Sequence, residues 1–206
     1  MPDCVPEGEA MSENSVYGCV FCITGKEALV AEQIEAACPG VCALTARWEK
    51  HKSVNGKKSK VQAILLPSYV FFRAPRGFVP YPGFPQENVI RILQTDRHVW
   101  QLTGADEQFA RWLFSYDGLL SFSKAYREGE RIRIVSGPLK DMEGSITKID
   151  RRGRSGQVVL SFNGKPVSVW LGFDLLETLS PNSPALETER SDGVSSSTVS
   201  EKAVPR

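Results

Sequence analysis

Histidine is scarce in this chain: only His51 and His98 stand among its 206 residues. Neither falls in a metalloprotease HExxH pattern, and the sequence carries no GxSxG elbow, no phosphate-binding P-loop and no dinucleotide fingerprint. Hydrolytic, phosphoryl-transfer and hydride-transfer chemistry thus lack their usual marks, and neither catalytic residues nor a cofactor are expected. His51 reads as a polar hairpin residue and His98 as a loop residue. Long apolar runs are missing as well. Stretches such as AILLPSYVFF are interrupted by Pro67, well short of the roughly twenty residues that cross a bilayer. The first residues, MPDCVPEGEAMSENS, are acidic and show no basic-then-apolar leader pattern, so a cytoplasmic protein with no membrane contact is expected.

Net charge is also small, +1 at neutral pH, but the charge is unevenly spread. Arg47, Lys50, Lys52, Lys57, Lys58 and Lys60 face only Glu49 within one short segment. Lys140, Lys148, Arg151, Arg152, Arg154 and Lys165 outnumber Asp141, Glu143 and Asp150 in a second. Two basic patches on a near-neutral chain point to two loops facing a polyanion. Five cysteines are present, and Cys19-x-x-Cys22 with Cys38-x-x-x-Cys42 imitates a four-thiolate zinc site. VYGCVFCI reads as a strand, however, where residues three apart face opposite ways. Buried reduced thiols are therefore expected, and no metal.

Residues 1–15 and 179–206 lack periodicity; the latter holds seven serines and no aromatic residue from Ser180 onward, too little apolar area to offset ordering, so both are expected to be disordered tails. Between them, Val16 to Ile23 is a strand apolar on both faces, with Tyr17, Cys19, Phe21 and Ile23 on one and Val16, Val20 and Cys22 on the other. Such a strand must be covered twice. Thr24 to Glu27 has the spacing of a capping box, predicting a helix to about Ala37, stopped by Cys38-Pro39-Gly40. Val41 to Ser53 and Lys57 to Ala74 read as two strands joined at Asn55-Gly56. A short strand, Val89 to Leu93, and a helix from about Ala105 to Phe114, signalled by Thr103 and Asp106, complete an α+β block over 16–114 with helices packed on one sheet. Residues 115–127 show no sustained period and read as a linker. From 128 to 178 come Arg131 to Val135, Met142 to Asp150, Gln157 to Phe162 and Pro166 to Leu171, then a turn at Phe173 to Leu176, predicting a small five-stranded β-barrel with glycine turns.

These residues carry a resemblance. EGERIRIVSGPLKDMEGSITKID, with its Gly137-Pro138 turn and Gly144, is similar to a KOW motif. VYGCVFCITGKE, the basic hairpin and LLPSYVFFRA together resemble the NGN domain of the NusG family. The resemblance implies an NGN domain at 16–114 and an SH3-like KOW barrel at 128–178, in a monomeric transcription elongation factor that is not an enzyme. It further implies docking on the clamp helices of RNA polymerase through Tyr17, Phe21, Leu66, Pro67, Tyr69 and Phe71.

The pattern also departs from the family: Tyr17 stands where tryptophan is usual, Leu66 where an aromatic is usual and Ser68 where glycine is usual. With the arginine-rich turn, these departures resemble the specialised antiterminators of the LoaP and RfaH type. Arg151, Arg152, Arg154 and Lys148 suit the backbone of nascent RNA. Arg47, Lys50, Lys52, Lys57, Lys58, Lys140 and Lys165 complete the nucleic-acid-facing set, upstream DNA being the other polyanion within reach. Phe162 and Asn163, on the turn after the fourth strand, are the expected partner contacts of the barrel. Two other readings stay open: a housekeeping NusG-like factor, and a ribosome-associated KOW protein that touches RNA or a ribosomal protein.

Overall fold

The computed structural model describes residues 15–54, 57–81, 83–94, 99–128 and 131–176. The expected hairpin turn at Asn55-Gly56, His98 and the stretches expected to be tails, 1–14 and 177–206, lie outside the described residues, as do the side chains of Lys57 and Lys58. No helix among the described residues is long and apolar enough to cross a membrane.

Strand β1 (Ser15–Cys22) pairs antiparallel with β5 (Tyr69–Pro75) on one side and β6 (Val89–Ile92) on the other, and β2 (Cys42–Thr45) adds to β5. The sheet order is β2-β5-β1-β6. The two apolar faces of β1 part into two cores. Val20 and Cys22 join Val70, Phe72 and the buried face of α1 (Glu27–Ala37), while Tyr17 and Cys19 join Phe71 and the apolar side of α2 (Gly104–Phe114). Alternation along a strand makes this division, and each face has its own cover. It also separates Cys19 from Cys22, as strand geometry requires; burial pushes the Cys19 thiol well above its ordinary pKa.

The expected capping box does not form. The N-cap of α1 is Lys26, with no side-chain hydrogen bond, and Thr24 Oγ1 lies 2.6 Å from Ser68 Oγ instead. Glu27 Oε1 turns inward to accept the Ser68 N–H at 2.7 Å. Burial alone would raise the Glu27 carboxyl, but N–H donors from Ser68, Glu27 itself and Gly25 outweigh it and hold the pKa below its ordinary value. Ser68 has φ +71°, a left-handed conformation that costs a side-chain-bearing residue strain and suits glycine. Its hydrogen bonds to Glu27 and Thr24 hold it there.

The two long strands expected across 41–74 are each broken. Ala46, fully buried, accepts the Leu65 N–H, and the chain leaves the first sheet there for β3 (Arg47–Val54). Its partner β4 (Lys57–Ile64) ends before Leu65-Leu66-Pro67-Ser68 turns the chain into β5. The β3–β4 register brings Val54 opposite Lys57, as a two-residue turn demands. The expected linker is structured: β7 (Leu119–Leu120) pairs parallel with Arg47 and Trp48, and β8 (Ser123–Glu128) opens the second sheet. Weak periodicity hid both because each is short and pairs with a distant strand, β7 with β3 and β8 with β12.

That second sheet has five strands, ordered β10-β11-β12-β8-β9, with β9 (Arg131–Ser136), β10 (Ile146–Asp150), β11 (Ser155–Phe162) and β12 (Lys165–Leu175); its fifth strand is β8 from the expected linker, and the turn expected at Phe173 to Leu176 is mostly the end of β12. Among the described residues β9 and β10 are each paired on one side only, so the ladder of the expected barrel is not closed. The predicted strand from Met142 is shortened because α3 (Pro138–Asp141) and a 3-10 turn occupy this stretch. α3 delivers Leu139 into the core, and its N–H donates to Ser123 Oγ at 2.9 Å.

Candidate functional site

Of the six residues expected on the polymerase-docking face, Pro67 is exposed, and Phe21, Leu66 and Tyr69 are half-buried at the margin of the first sheet. Phe21 and Tyr69 hold each other at 5.2 Å. Tyr17 and Phe71 are buried. Tyr17 lies beneath α2, with Phe114 at 5.5 Å and the Arg111 guanidinium over its ring at 4.9 Å. The family resemblance grouped these residues, but could not tell which of them α2 would cover.

The remainder of that face is covered from a distance. Phe162, expected on an exposed turn, is only 3% exposed. Its ring sits 5.1 Å from Phe71, 5.4 Å from Tyr69 and 5.4 Å from Phe109 of α2. Beside it, the Asn163 N–H donates to Asp106 Oδ1 at 2.9 Å. Asp106 thus binds the second sheet rather than starting its own helix. The Tyr116 hydroxyl donates to Asp141 Oδ2 at 2.5 Å, and burial, then this bond, pushes the phenol well above its ordinary pKa. Burying one phenylalanine contributes about 1.5–3 kcal/mol and each hydrogen bond to a carboxylate about 1.5–3.

The basic residues fall into separate places. Lys50 and Lys52 share one side of exposed β3, and Lys50 Nζ lies 5.6 Å from the Trp48 ring. Arg47 reaches Gln62 across the hairpin at 3.5 Å. Lys60 is engaged with Asp174 at 2.7 Å and lies over Phe122 at 4.3 Å, tying the hairpin to β12. On the second sheet, Lys148, Arg151, Arg152 and Arg154 are exposed around the β10–β11 turn, and Lys140 is exposed on α3. That turn is stiff: Asp150 Oδ1 accepts the N–H groups of Arg152 and Gly153 at 3.0 and 2.9 Å, and Arg154 takes φ +51°. Phe162, Asn163 and Lys165 do not neighbour the arginines. They occupy the other end of β11, an eight-residue strand and hence roughly 23 Å away at about 3.3 Å per residue.

No protein-family model matches the chain. Over an alignment of 133 residues it is 28% identical to the transcription termination/antitermination protein NusG of Thermus thermophilus, covering 57% of this chain and 69% of that one. This chain is similar to NusG. The similarity supports a relationship to the NusG family. A solved NusG structure from Thermotoga maritima, concerned with domain interaction, aligns with 77% of this chain and 93% of its own at 18% identity and a TM-score of 0.45.

Proposed function

We propose that this chain is a transcription elongation and antitermination factor of the NusG kind, acting by binding rather than catalysis. It docks on the clamp helices of RNA polymerase through the Phe21, Leu66, Pro67, Tyr69 and Phe71 edge of its first sheet and suppresses pausing and termination. The observation that carries this reading is the apolar face itself. A sheet margin with aromatic residues on its rim and a removable phenylalanine over its centre is built like a protein interface whose occupant can change. Docking therefore requires the second sheet to move off, whereas Tyr17, beneath α2, supports the face from below.

The second sheet acts as a KOW module. Its stiff arginine turn pairs with the backbone of nascent RNA by phosphate contacts and counterion release. The density of arginine there, and Leu66 and Ser68 at positions where the family differs, favour a specialised factor of the LoaP or RfaH type. The test is single-round transcription with purified polymerase over a pause and a terminator. The full chain should shorten the pause and raise read-through, and Leu66→Asp, which puts an unpaired charge on an apolar face, should remove both effects. Unchanged pausing with the full chain would contradict the proposal.

A further inference from the structure

The two basic segments lie far apart in sequence but meet in space. Trp48, Lys50 and His51 of the hairpin form one wall of a groove of about 280 Å³, and Gly153, Ser155 and Trp170 of the second sheet form the other. Phe122 joins the walls: its N–H donates to Glu49 Oε2 at 3.3 Å and its ring lies 4.6 Å from that of His51. Trp170 projects outward between the buried Val169 and Leu171 and is 38% exposed. Gly172 lets the Phe122 ring pack directly on its backbone at the floor of the groove, since a Cβ there would collide with that ring. Arg152 and Arg154 flank the groove residue Gly153 in the chain, and Lys52 follows the groove residue Lys50 on the same side of β3, all exposed.

We propose that this groove binds single-stranded RNA, with a base entering between the aromatic walls and the phosphates running along these cationic residues. The proposal rests on the reading that these segments face nucleic acid, and adds that they do so as one site assembled from the β3–β4 hairpin and the second sheet. Three features select the ligand. The space is just under the roughly 300 Å³ at which small-molecule clefts begin, enough for a flat ring and too small for a duplex. Exposed tryptophan offers a stacking surface that a paired base cannot use. Glu49 repels phosphate yet accepts from an exocyclic amino group or a ribose 2′-hydroxyl, which turns base and sugar inward and favours RNA over DNA.

The site exists only while the hairpin and the second sheet are together. RNA in the groove and polymerase on the first sheet therefore oppose each other, and opening leaves RNA with the arginine turn alone.

The experiment is a titration of the full chain with a short labelled single-stranded RNA, alongside the duplex and the DNA strand of the same sequence and a poly-glutamate competitor. Trp170→Ala and Lys50→Ala, both at exposed positions, should each weaken single-stranded RNA binding, the tryptophan change by about fivefold or more, since a stacked base is worth about 1–3 kcal/mol. Phe162→Asp, which lines neither wall, should weaken it too by opening the sheets, with circular dichroism confirming that both remain folded. If Arg151→Ala/Arg152→Ala/Arg154→Ala weakens binding while Trp170→Ala and Lys50→Ala do not, the groove is wrong and the arginine turn acts alone. Loss of RNA binding by none of these variants overturns both readings. Equal affinity for duplex or DNA, or full displacement by poly-glutamate at equal charge, overturns the assignment to single-stranded RNA.

Discussion

The ring of Phe162, at the tip of the β11–β12 hairpin, lies 5.1 Å from that of Phe71 in the middle of the first sheet. This contact joins the cores of the two sheets, and Asn163 with Asp106 fastens it at one side. Replacing Phe162 by Asp should part the sheets, because a carboxylate without a partner is far costlier in an apolar site than in water. Small-angle scattering should record a larger radius of gyration for the variant. An unchanged radius would mean that other contacts suffice to hold the sheets together.

Tyr116 and Asp141 form a second fastener with its own pH dependence. The phenol pKa is raised by burial and by the bond to Asp141, so the protonated form is favoured in the closed state. Its contribution is fully present below the ordinary tyrosine range and is lost as pH rises through the elevated folded pKa. Asp141→Asn should shift the spectrophotometric titration of this phenol towards its ordinary value. A titration identical to that of the unmodified chain would contradict the contact.

Glu27 behaves in the opposite sense. Its carboxyl is held below the ordinary range by backbone donors that outweigh burial. The stability it supplies is present above that range and lost as pH falls through its folded pKa. Glu27→Ala leaves the Ser68 N–H without its buried acceptor and should cost about 1–3 kcal/mol in denaturant unfolding. The variant should also lose part of the acid sensitivity of the unmodified chain.

Gly18 has no room for a side chain, since a Cβ there would run into the ring of Phe72. Gly18→Ala should destabilise the first sheet by about 1–3 kcal/mol, the usual cost of overpacking a core. Thermal unfolding checks this, and an unaltered transition would show that Phe72 can move aside.

The arginine turn should govern the salt response of RNA binding. Arg151→Ala/Arg152→Ala/Arg154→Ala removes phosphate contacts and should flatten the dependence of affinity on salt as well as lower it. Titrations at several salt concentrations measure the slope directly.

Much of this was legible in the sequence where the signal was local. The double-faced pattern of β1 foretold two covered faces, and Tyr17 and Cys19 do part from Val20 and Cys22. The register that places Val54 opposite Lys57 is the one the Asn-Gly pair predicts. What escaped was decided by distant partners. Thr24 and Glu27 have capping spacing, yet Ser68 competes for both. Leu119-Leu120 is too short to show a period and forms a strand only because Arg47 and Trp48 lie alongside. Phe162 stands beside an Asn-Gly turn, so local pattern exposes it, and only the apolar face around Phe71 buries it. Trp170 was open to reading, since alternation with Val169 and Leu171 turns it outward.

The most direct test of the account is retention of purified core RNA polymerase by the immobilised full chain, by Phe162→Asp and by Phe162→Asp combined with Leu66→Asp. The account predicts stronger retention by Phe162→Asp than by the unmodified chain, and its loss when Leu66→Asp is added. Retention that is unaffected by either substitution, or absent from all three, would contradict the docking face.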